Sequence, residues 1–403
     1  MTGNALNIKI INPSFEVSIV SEQQAQSIEH LQDVTKIRSG DLLNHSCKLE
    51  FNEKSSRLAA TFRAMQLKKI TRPEKKGAEN VTDEKFALFF YSSFKINDEL
   101  IINLTALSMP IVVIVHGNQE PQSHATILWD NSFSVLNRRP FDVESSALCN
   151  YLGAALKMKF CAPTNPFSVV PIPEIFTNEM IQYLLKKALR QHDVTSDTIT
   201  WAQFCKDLLP DRNFTFWEWF YAAMRLIREH LCKLWNQNYI FGFIDKVSAE
   251  NLLLQCAPGT FLLRFSDSEM GGLSIASLNL DENNIPHVFH IQPLNSKNLT
   301  FHSLPNSILD LDQLKTLYPN INKVDAFGKY ASPSGPPGNG YVPIHVHASL
   351  PMPSMSENQE YLPKLNVECP ISSSKNTQSP SISASGSQTP NFSIQLPDFN
   401  WLK

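Results

Sequence analysis

Short apolar runs separated by polar turns dominate the first third of the chain. Residues 87–94, 101–107 and 110–115 are rich in β-branched and aromatic side chains. Runs of this length and composition are typical of strands packed in a sandwich. We therefore predict that residues 1–135 are all-β.

The hydrophobic period changes between about residues 140 and 238. Apolar positions in 179–190 and 217–235 recur at helical spacing, with proline-rich joints at 162–173 and at Pro210. Such spacing predicts amphipathic helices. The segments Trp201-Ala-Gln-Phe-Cys and Phe214-Thr-Phe-Trp-Glu-Trp-Phe contain an aromatic cluster, which we interpret as core rather than as a functional site.

Residues 239–330 return to a mixed pattern of helices and strands. The pattern predicts a helix at 247–256, strands around Arg264, at 273–280 and at 286–292, and a helix at 307–317. Beyond residue 331, Pro, Ser, Gly and Asn dominate. This composition predicts a disordered tail, because too little apolar surface is present to offset the entropy of ordering.

Composition narrows the class of protein. The 403 residues are 42% hydrophobic and 18% charged, enough for two or three cores. The formal net charge of −3 argues against a globally basic nucleic-acid binder, so any DNA contact must come from a local patch. Seven scattered cysteines without a CxxC pair indicate a reducing compartment and neither a disulfide framework nor a zinc site. The sequence predicts no membrane insertion and no signal peptide.

One arginine interrupts the apolar run Thr-Phe-Leu-Leu-Arg-Phe at 260–265. The lack of polar alternation indicates a central strand covered on both faces, and there Arg264 is costly unless it meets an anion. Its planar fork matches a phosphate, to which Ser266 and Ser268 can donate, and Lys246 can add a second positive charge. On residue chemistry alone, the commoner alternative stays open: Arg264 pairs with a carboxylate and Lys246 is solvated.

Two further segments have candidate chemistry. Tyr341 stands alone in Gly338-Asn-Gly-Tyr-Val-Pro343; it is either an ordinary loop tyrosine or a kinase substrate whose phosphate suits an arginine socket. Residues 63–76 carry six basic side chains against Glu74. Such a run is usually a solvated face, but on a loop between strands it can bind DNA phosphates.

The segment Gly-Thr-Phe-Leu-Leu-Arg-Phe-Ser-Asp-Ser at 259–268 resembles the phosphotyrosine-binding strand of SH2 domains. Its surroundings resemble one family, the signal transducers and activators of transcription (STAT). The matching motifs are Gly-Phe-Ile-Asp-Lys at 242–246, Gly-Gly-Leu-Ser at 271–274, His-Ile-Gln-Pro at 290–293, Leu-Tyr-Pro-Asn at 317–320 and Ala-Phe-Gly-Lys-Tyr at 326–330. Upstream, Leu-Lys-Lys-Ile at 67–70 and residues 110–118 and 125–131 fit the DNA-binding sandwich of that family.

The resemblance implies roles for particular residues. Arg264 grips the phosphate, assisted by Lys246, Ser266 and Ser268, and Tyr341 is the phosphorylation site that a second chain captures reciprocally. His290 falls near the pocket wall, although a packed strand histidine is equally compatible. His345 and His347 are expected to be strand residues rather than a metal pair.

For DNA, the resemblance implies that His116 reads base edges, where a neutral imidazole can both donate and accept. A strand-end histidine is the alternative. The expected phosphate contacts are Lys69, Arg72 and Lys75.

The implied fold is multidomain. It comprises an immunoglobulin-like (p53-like) all-β DNA-binding sandwich at 1–138 whose first strands are expected to be missing, an α-helical linker domain at 139–238, an α+β SH2 domain at 239–331, a phosphotyrosine segment at 332–350, and a disordered transactivation tail at 351–403 with Ser-Pro and Thr-Pro sites at Ser379 and Thr389. Family members carry further domains before this point, so the chain is expected to be N-terminally truncated, which exposes a sheet edge.

The resemblance predicts a phosphotyrosine-activated transcription factor in cytokine or growth-factor signalling, cytoplasmic until it enters the nucleus. Its expected partners are double-stranded DNA, a second chain in a homodimer or heterodimer, phosphorylated receptor tails and a tyrosine kinase. No cofactor is implied, and kinase, phosphatase and P-loop motifs are absent from the sequence, so no enzyme is predicted. The alternative is a truncated phosphotyrosine-binding adaptor or a dominant-negative partner without DNA binding of its own.

Overall fold

The computed structural model describes most of the chain up to residue 331. The described ranges are 2–3, 8–11, 14–28, 34–52, 57–72, 80–96, 100–164, 176–190, 197–331 and 393–395. Of the predicted sites, Tyr341, Lys75, Ser379, Thr389, His345 and His347 lie outside them. No helix among the described residues is long and apolar enough to cross a membrane.

Antiparallel strands build the N-terminal part. They are β1 (Thr2–Gly3), β2 (Ile8–Ile11), β3 (Ser14–Ser21), β4 (Gly40–Leu43), β5 (Ser46–Lys48), β6 (Glu50–Asn52), β7 (Arg57–Ala59), β8 (Gln66–Ile70), β9 (Phe86–Ile96), β10 (Leu100–Leu107) and β11 (Val112–Ile114), with a short helix α1 (Glu22–Ser27) after β3. One sheet has the order β1-β2-β9-β3-β5, and β10 pairs with residues 89–96 along the other edge of β9. Strand β4 pairs with β8, and β6 pairs with β7.

Apolar side chains of several strands meet between these sheets. They include Val17, Ile19, Leu42, Phe86, Leu88, Ile111 and Val113, all buried. Alternate residues of a strand point to the same face, which is why Val17 and Ile19 of β3 reach this core together. Antiparallel sheets around a shared core agree with the predicted sandwich, whereas an immunoglobulin-like strand order stays a prediction.

A 14-residue helix, α2 (Glu120–Phe133), corrects the prediction that residues 1–135 are all-β. Its buried residues Ala125, Leu128 and Trp129 follow the i, i+3, i+4 spacing of one helix face. They join the core of the helical part, while Ile127 packs against Val112 and Ile114 of β11. Helix α2 therefore contacts both the sandwich and the helices that follow.

The middle of the chain is helical, as predicted. Its elements are β12 (Ser146–Leu148), α3 (Cys149–Thr164), α4 (Asn178–Leu189), β13 (Thr198–Thr200), α5 (Trp201–Cys205), α6 (Phe216–Leu226) and α7 (Cys232–Trp235), with a π-helical turn at Ile227–Leu231 between α6 and α7. Helix α6 begins at a capping box, in which the Thr215 hydroxyl accepts from the Glu218 backbone and Glu218 accepts from the Thr215 N–H.

A mixed sheet flanked by helices forms the last described part. Its elements are α8 (Lys246–Leu253), β14 (Thr260–Phe265), β15 (Leu273–Leu280), β16 (Pro286–Leu294), α9 (Ser296–Phe301), α10 (Leu304–Leu309), β17 (Thr316–Leu317), β18 (Ile321–Asn322) and α11 (Lys323–Phe327). The sheet order is β16-β15-β14-β17-β18. All six residues of β14 are buried, which confirms the predicted central strand.

The predicted helix at 307–317 is wrong beyond its first turn. Helix α10 ends at Leu309, and the chain then extends to pair β17 in parallel with β14. Strand pairing satisfies the backbone of the central strand on that side, and this tertiary constraint overrides the local helical pattern.

The helical part and the SH2-like sheet share one core. The ring of Phe243 lies between β14 and the helices, with its centroid 4.6 Å from Phe265, 5.2 Å from Phe160 and 5.8 Å from Phe220. Trp217, Trp219 and Trp235 are also fully buried. The aromatic cluster is core, as predicted, and this core contains residues on both sides of residue 238.

The described residues of the tail form a short strand that its composition does not predict. Strand β19 (Ser393–Gln395) pairs antiparallel with β11, with Val113 opposite Ile394. Just before β11, Ile111 forms an isolated antiparallel β-bridge with Phe86 at the start of β9.

Candidate functional site

A glycine brings the segment before α8 against β14. Gly242 donates its N–H to the Leu263 carbonyl at 3.1 Å and accepts from the Phe265 N–H at 2.9 Å. Its φ of +84° lies in the left-handed region, and a Cβ there would come within 2.8 Å of the Trp235 ring. Only glycine meets both constraints. The segment continues to Ile244, whose carbonyl reaches Arg264.

The Arg264 side chain lies at the end of β14 and is only 5% exposed. Its Nη1 donates to the carbonyl oxygens of Ile244 (3.0 Å) and Phe265 (3.2 Å) and to Asp267 Oδ2 (2.8 Å). Its Nε is buried and finds no hydrogen-bond partner within the described part of the chain. An unsatisfied donor on a buried cation is costly, so the site is built to receive an acceptor, and an anion fits best.

The two predicted serines lie on the loop that follows β14. The Oγ of Ser266 accepts from the backbone N–H groups of Ser268 (3.3 Å) and Glu269 (3.1 Å), and the two serine hydroxyls are 3.3 Å apart. Ser266 is buried and Ser268 exposed. The structure thus brings Arg264, Ser266 and Ser268 to one end of one strand.

Lys246 lies at the start of α8, with 55% of its side chain exposed. Its Nζ is 3.8 Å from Glu250 Oε1, which is also 2.8 Å from His290 Nε2 on β16. Burial lowers the pKa of His290, against the opposing effect of the Glu250 hydrogen bond. A neutral His290 then donates to Glu250. The structure links Lys246 to His290 through Glu250 rather than to Arg264.

The sequence argument missed Asp267, which accepts bonds on both carboxylate oxygens. Besides Arg264 on Oδ2, the Tyr183 hydroxyl and Lys187 Nζ (2.6 Å), both on α4, donate to Oδ1. Burial alone would raise the pKa of Asp267, but the charges of Lys187 and Arg264 outweigh it and lower that pKa. The four-residue spacing of Tyr183 and Lys187 on one helix face was the available signal.

Two further side chains hold the backbone of this loop. Arg212 Nε donates to the Asp267 carbonyl at 3.1 Å, and Trp219 Nε1 donates to the Ser266 carbonyl at 2.7 Å. We call the four side chains that bind the loop from the helical part the linker clamp: Tyr183, Lys187, Arg212 and Trp219.

Those predicted DNA-contacting residues that the structure describes lie on or just after strands β8 and β11. His116 follows β11, is exposed, and begins the 3-10 turn Gly117–Gln119, where its N–H donates to Gln119 Oε1 at 3.2 Å. Lys69 is exposed on β8, opposite Asp41 of β4.

The Arg72 side chain makes contacts within the protein that its charge alone does not predict. Its Nη1 donates to Glu84, and its Nη2 donates to the Val113 carbonyl of β11 at 2.9 Å. The side chain is 20% exposed. Arg72 therefore ties the end of β8 to β11, and a DNA contact for it stays a prediction that requires it to leave Glu84.

Three family models match consecutive parts of the chain. Residues 1–114 match the STAT protein DNA-binding domain, residues 136–220 the linker domain of signal transducers and activators of transcription, and residues 239–318 the SH2 domain. The chain belongs to the STAT family. The curated "Signal transducer and transcription activator" of Anopheles gambiae is 42% identical over 380 residues, covering 93% of this chain and 51% of that protein.

A second STAT relative gives the same result. The "Signal transducer and transcription activator" of Drosophila melanogaster is 40% identical over 370 residues, covering 86% of this chain and 47% of that protein. The chain spans about half the length of these curated relatives. Within the STAT arrangement, the linker clamp lies in the linker match and its acceptors Ser266 and Asp267 lie in the SH2 match.

Proposed function

We propose that this chain is a phosphotyrosine-activated, sequence-specific DNA-binding transcription factor that dimerises by reciprocal SH2–phosphotyrosine exchange in cytokine or growth-factor signalling. The observation that supports it most directly is Arg264, a 5% exposed cation whose Nε has no partner in the described part of the chain. The STAT DNA-binding match over residues 1–114 favours this function over an adaptor without DNA contacts.

Phosphorylation of Tyr341 by a tyrosine kinase would supply the missing anion. A phosphate of nearly two negative charges accepts from the Arg264 fork, and the Ser266 and Ser268 hydroxyls donate to its other oxygens. The Lys246 side chain, 55% exposed and 3.8 Å from Glu250, would turn from that carboxylate to the phosphate. Each chain offers one socket and one ligand, so the exchange is two-fold and homodimers or heterodimers result. The same socket would accept phosphorylated receptor tails.

Dimerisation would place two sandwiches on one duplex after the chain moves from cytoplasm to nucleus. Lys69 and Lys75 would contact phosphates in a salt-dependent way, and His116 would reach base edges. Because the charge balance of the whole chain is slightly negative, these local contacts must supply the attraction. No step in this function is catalytic.

The proposal predicts that binding of a peptide with residues 336–350 depends on the phosphate of Tyr341. Two charge-assisted hydrogen bonds at about 1.5 kcal/mol each correspond to at least a 100-fold weaker affinity for the unphosphorylated peptide. Fluorescence anisotropy with labelled peptides and the full chain measures this. A phosphoserine at the same position is expected to bind poorly as well, because Arg264 is buried beyond the reach of a short side chain. Equal affinity for all three peptides would contradict the proposal.

The DNA contact predicts a loss of affinity when His116 is replaced by alanine. A good base contact contributes about 1–3 kcal/mol, so binding is expected to weaken about 5- to 150-fold. Gel shifts of the phosphorylated chain against a duplex selected from a random pool measure it. His302→Ala is the matched control and should bind like the parent, because this half-buried histidine of the SH2 part contacts Asp310 and is not among the predicted DNA contacts. Parent-like affinity of His116→Ala would exclude base reading by His116.

A further inference from the structure

The phosphate-binding loop is completed by side chains from outside the SH2 part. The linker clamp binds both the Asp267 carboxylate and the loop carbonyls, at distances of 2.6 to 3.1 Å where Lys187, Arg212 and Trp219 donate. The same carboxylate binds Arg264 through its other oxygen at 2.8 Å. One side chain, Asp267, thus connects the socket arginine to helix α4.

A carboxylate beside the socket opposes phosphate binding unless its charge is balanced. Asp267 is a like charge for an incoming phosphate and competes with it for Arg264. Lys187 Nζ lies 2.6 Å from Oδ1 and is 14% exposed, so solvent and salt screen this pair less than a surface pair. Its ammonium also lies 4.5 Å from the centre of the Trp219 ring, which holds it in place.

We infer that Lys187, acting through Asp267, is a positioning residue for phosphate capture at Arg264, so that phosphotyrosine binding and docking of helix α4 on the SH2 part stabilise each other. This inference rests on the proposed phosphotyrosine socket. Lys187 balances the negative charge of Asp267, so that the positive charge of Arg264 remains available to attract the ligand phosphate. By linkage, a ligand that binds more tightly to the docked arrangement stabilises that arrangement by the same factor.

The protonation states of Asp267 and Tyr183 agree with this geometry, whereas burial lowers the pKa of Lys187 against the opposing charge of Asp267. The pKa of Asp267 is lowered, because the charges of Lys187 and Arg264 outweigh its burial, so the carboxylate is ionised at neutral pH. Burial, followed by the charge of Asp267, raises the pKa of Tyr183 well above its ordinary value. Tyr183 therefore keeps its proton and acts as a donor to Oδ1.

A double-mutant cycle in the full chain tests the inference. The four proteins are the parent, Lys187→Met, Asp267→Asn and the double variant, each titrated with the phosphorylated 336–350 peptide. Lys187→Met is expected to weaken binding about 5- to 20-fold in the parent, within the usual range of coupling between sites. In the Asp267→Asn background the same change is expected to alter affinity less than about 2-fold, because no carboxylate charge is left unbalanced.

Three further proteins separate positioning from loss of folding. Lys187→Arg keeps the charge and should restore most of the affinity. Lys186→Met, an exposed neighbour on α4, should bind like the parent. If Lys187→Met does not fold, Tyr183→Phe replaces it in the cycle; it removes one donor to Oδ1 and should weaken binding about 2- to 4-fold only where Asp267 is present.

The outcomes are distinguishable. An equal loss of affinity from Lys187→Met in both backgrounds would mean direct attraction between Lys187 and phosphate, or a purely structural effect, and would overturn the inference alone. If Lys187→Met lowers the free energy of unfolding but leaves the peptide affinity unchanged, the inference is overturned as well. A parent chain that does not bind the phosphopeptide would instead refute the proposed socket.

Discussion

Replacing Arg264 by methionine is expected to abolish most phosphopeptide binding while leaving the chain folded. Loss of one partner of a buried charge pair costs about 2–5 kcal/mol in affinity, roughly 30- to several thousand-fold. The free energy of unfolding should fall only modestly, because the loss of a donor to the Ile244 and Phe265 carbonyls is offset by the desolvation that the buried arginine no longer requires. Asp267 keeps Lys187 and Tyr183 as partners, so the substitution leaves no isolated buried charge.

The measurement pairs peptide titration with urea unfolding of the same protein. Arg264→Lys keeps a positive charge but loses the planar, bidentate guanidinium. It should therefore bind the phosphopeptide at least about 10-fold more weakly than the parent. The control is Arg225→Met on the exposed face of α6, whose side chain is 47% exposed. If Arg264→Met binds the phosphopeptide within 3-fold of the parent, Arg264 is not the phosphate-binding residue.

Replacing Phe243 by alanine is expected to cause the largest loss of stability, about 3–5 kcal/mol, the range for large buried aromatic side chains. Phe243 is 2% exposed, and its ring touches residues of the helical part and β14 alike. Since the two parts share this core, both should lose stability in a single transition.

Urea unfolding checks this, with tryptophan fluorescence for the helical part and amide hydrogen exchange for β14 and β15. Phe301→Ala is the matched control, because that ring is 90% exposed and its loss should change stability by less than about 0.5 kcal/mol. Two separate transitions, with only the SH2-like sheet destabilised, would contradict a shared core.

The sequence predicts the buried strand around Arg264 correctly because the signal for it is local. The apolar run around Arg264 is typical of a strand covered on both faces, and a charge there requires a partner. The partners of Asp267 were missed, because Lys187 and Asp267 are 80 residues apart and the spacing of Tyr183 and Lys187 does not identify their acceptor. For the same reason Arg72 was counted as a free charge, although Glu84 and the Val113 carbonyl already bind that side chain.

The two errors of secondary structure also have a physical cause. The apolar residues of α2 fit a helix face and a short strand run almost equally well until their burial partners are known. Between Leu309 and Leu317 the local pattern is helical, but residues 316–317 form β17, which pairs between β14 and β18 in the sheet. In both places contacts distant in sequence decide between two conformations that the local pattern permits.

Helix α2 joins the sandwich to the helical core through several independent contacts. Ile127 packs on β11, Asp130 binds Lys85 at 2.9 Å, and the Trp217 indole donates to the Pro121 carbonyl at 2.5 Å. In the proposed two-fold dimer, a stiff connection of this kind would fix the distance between the two loops that carry His116. That distance would be set before DNA binds, and it would determine the number of base pairs between the two half-sites.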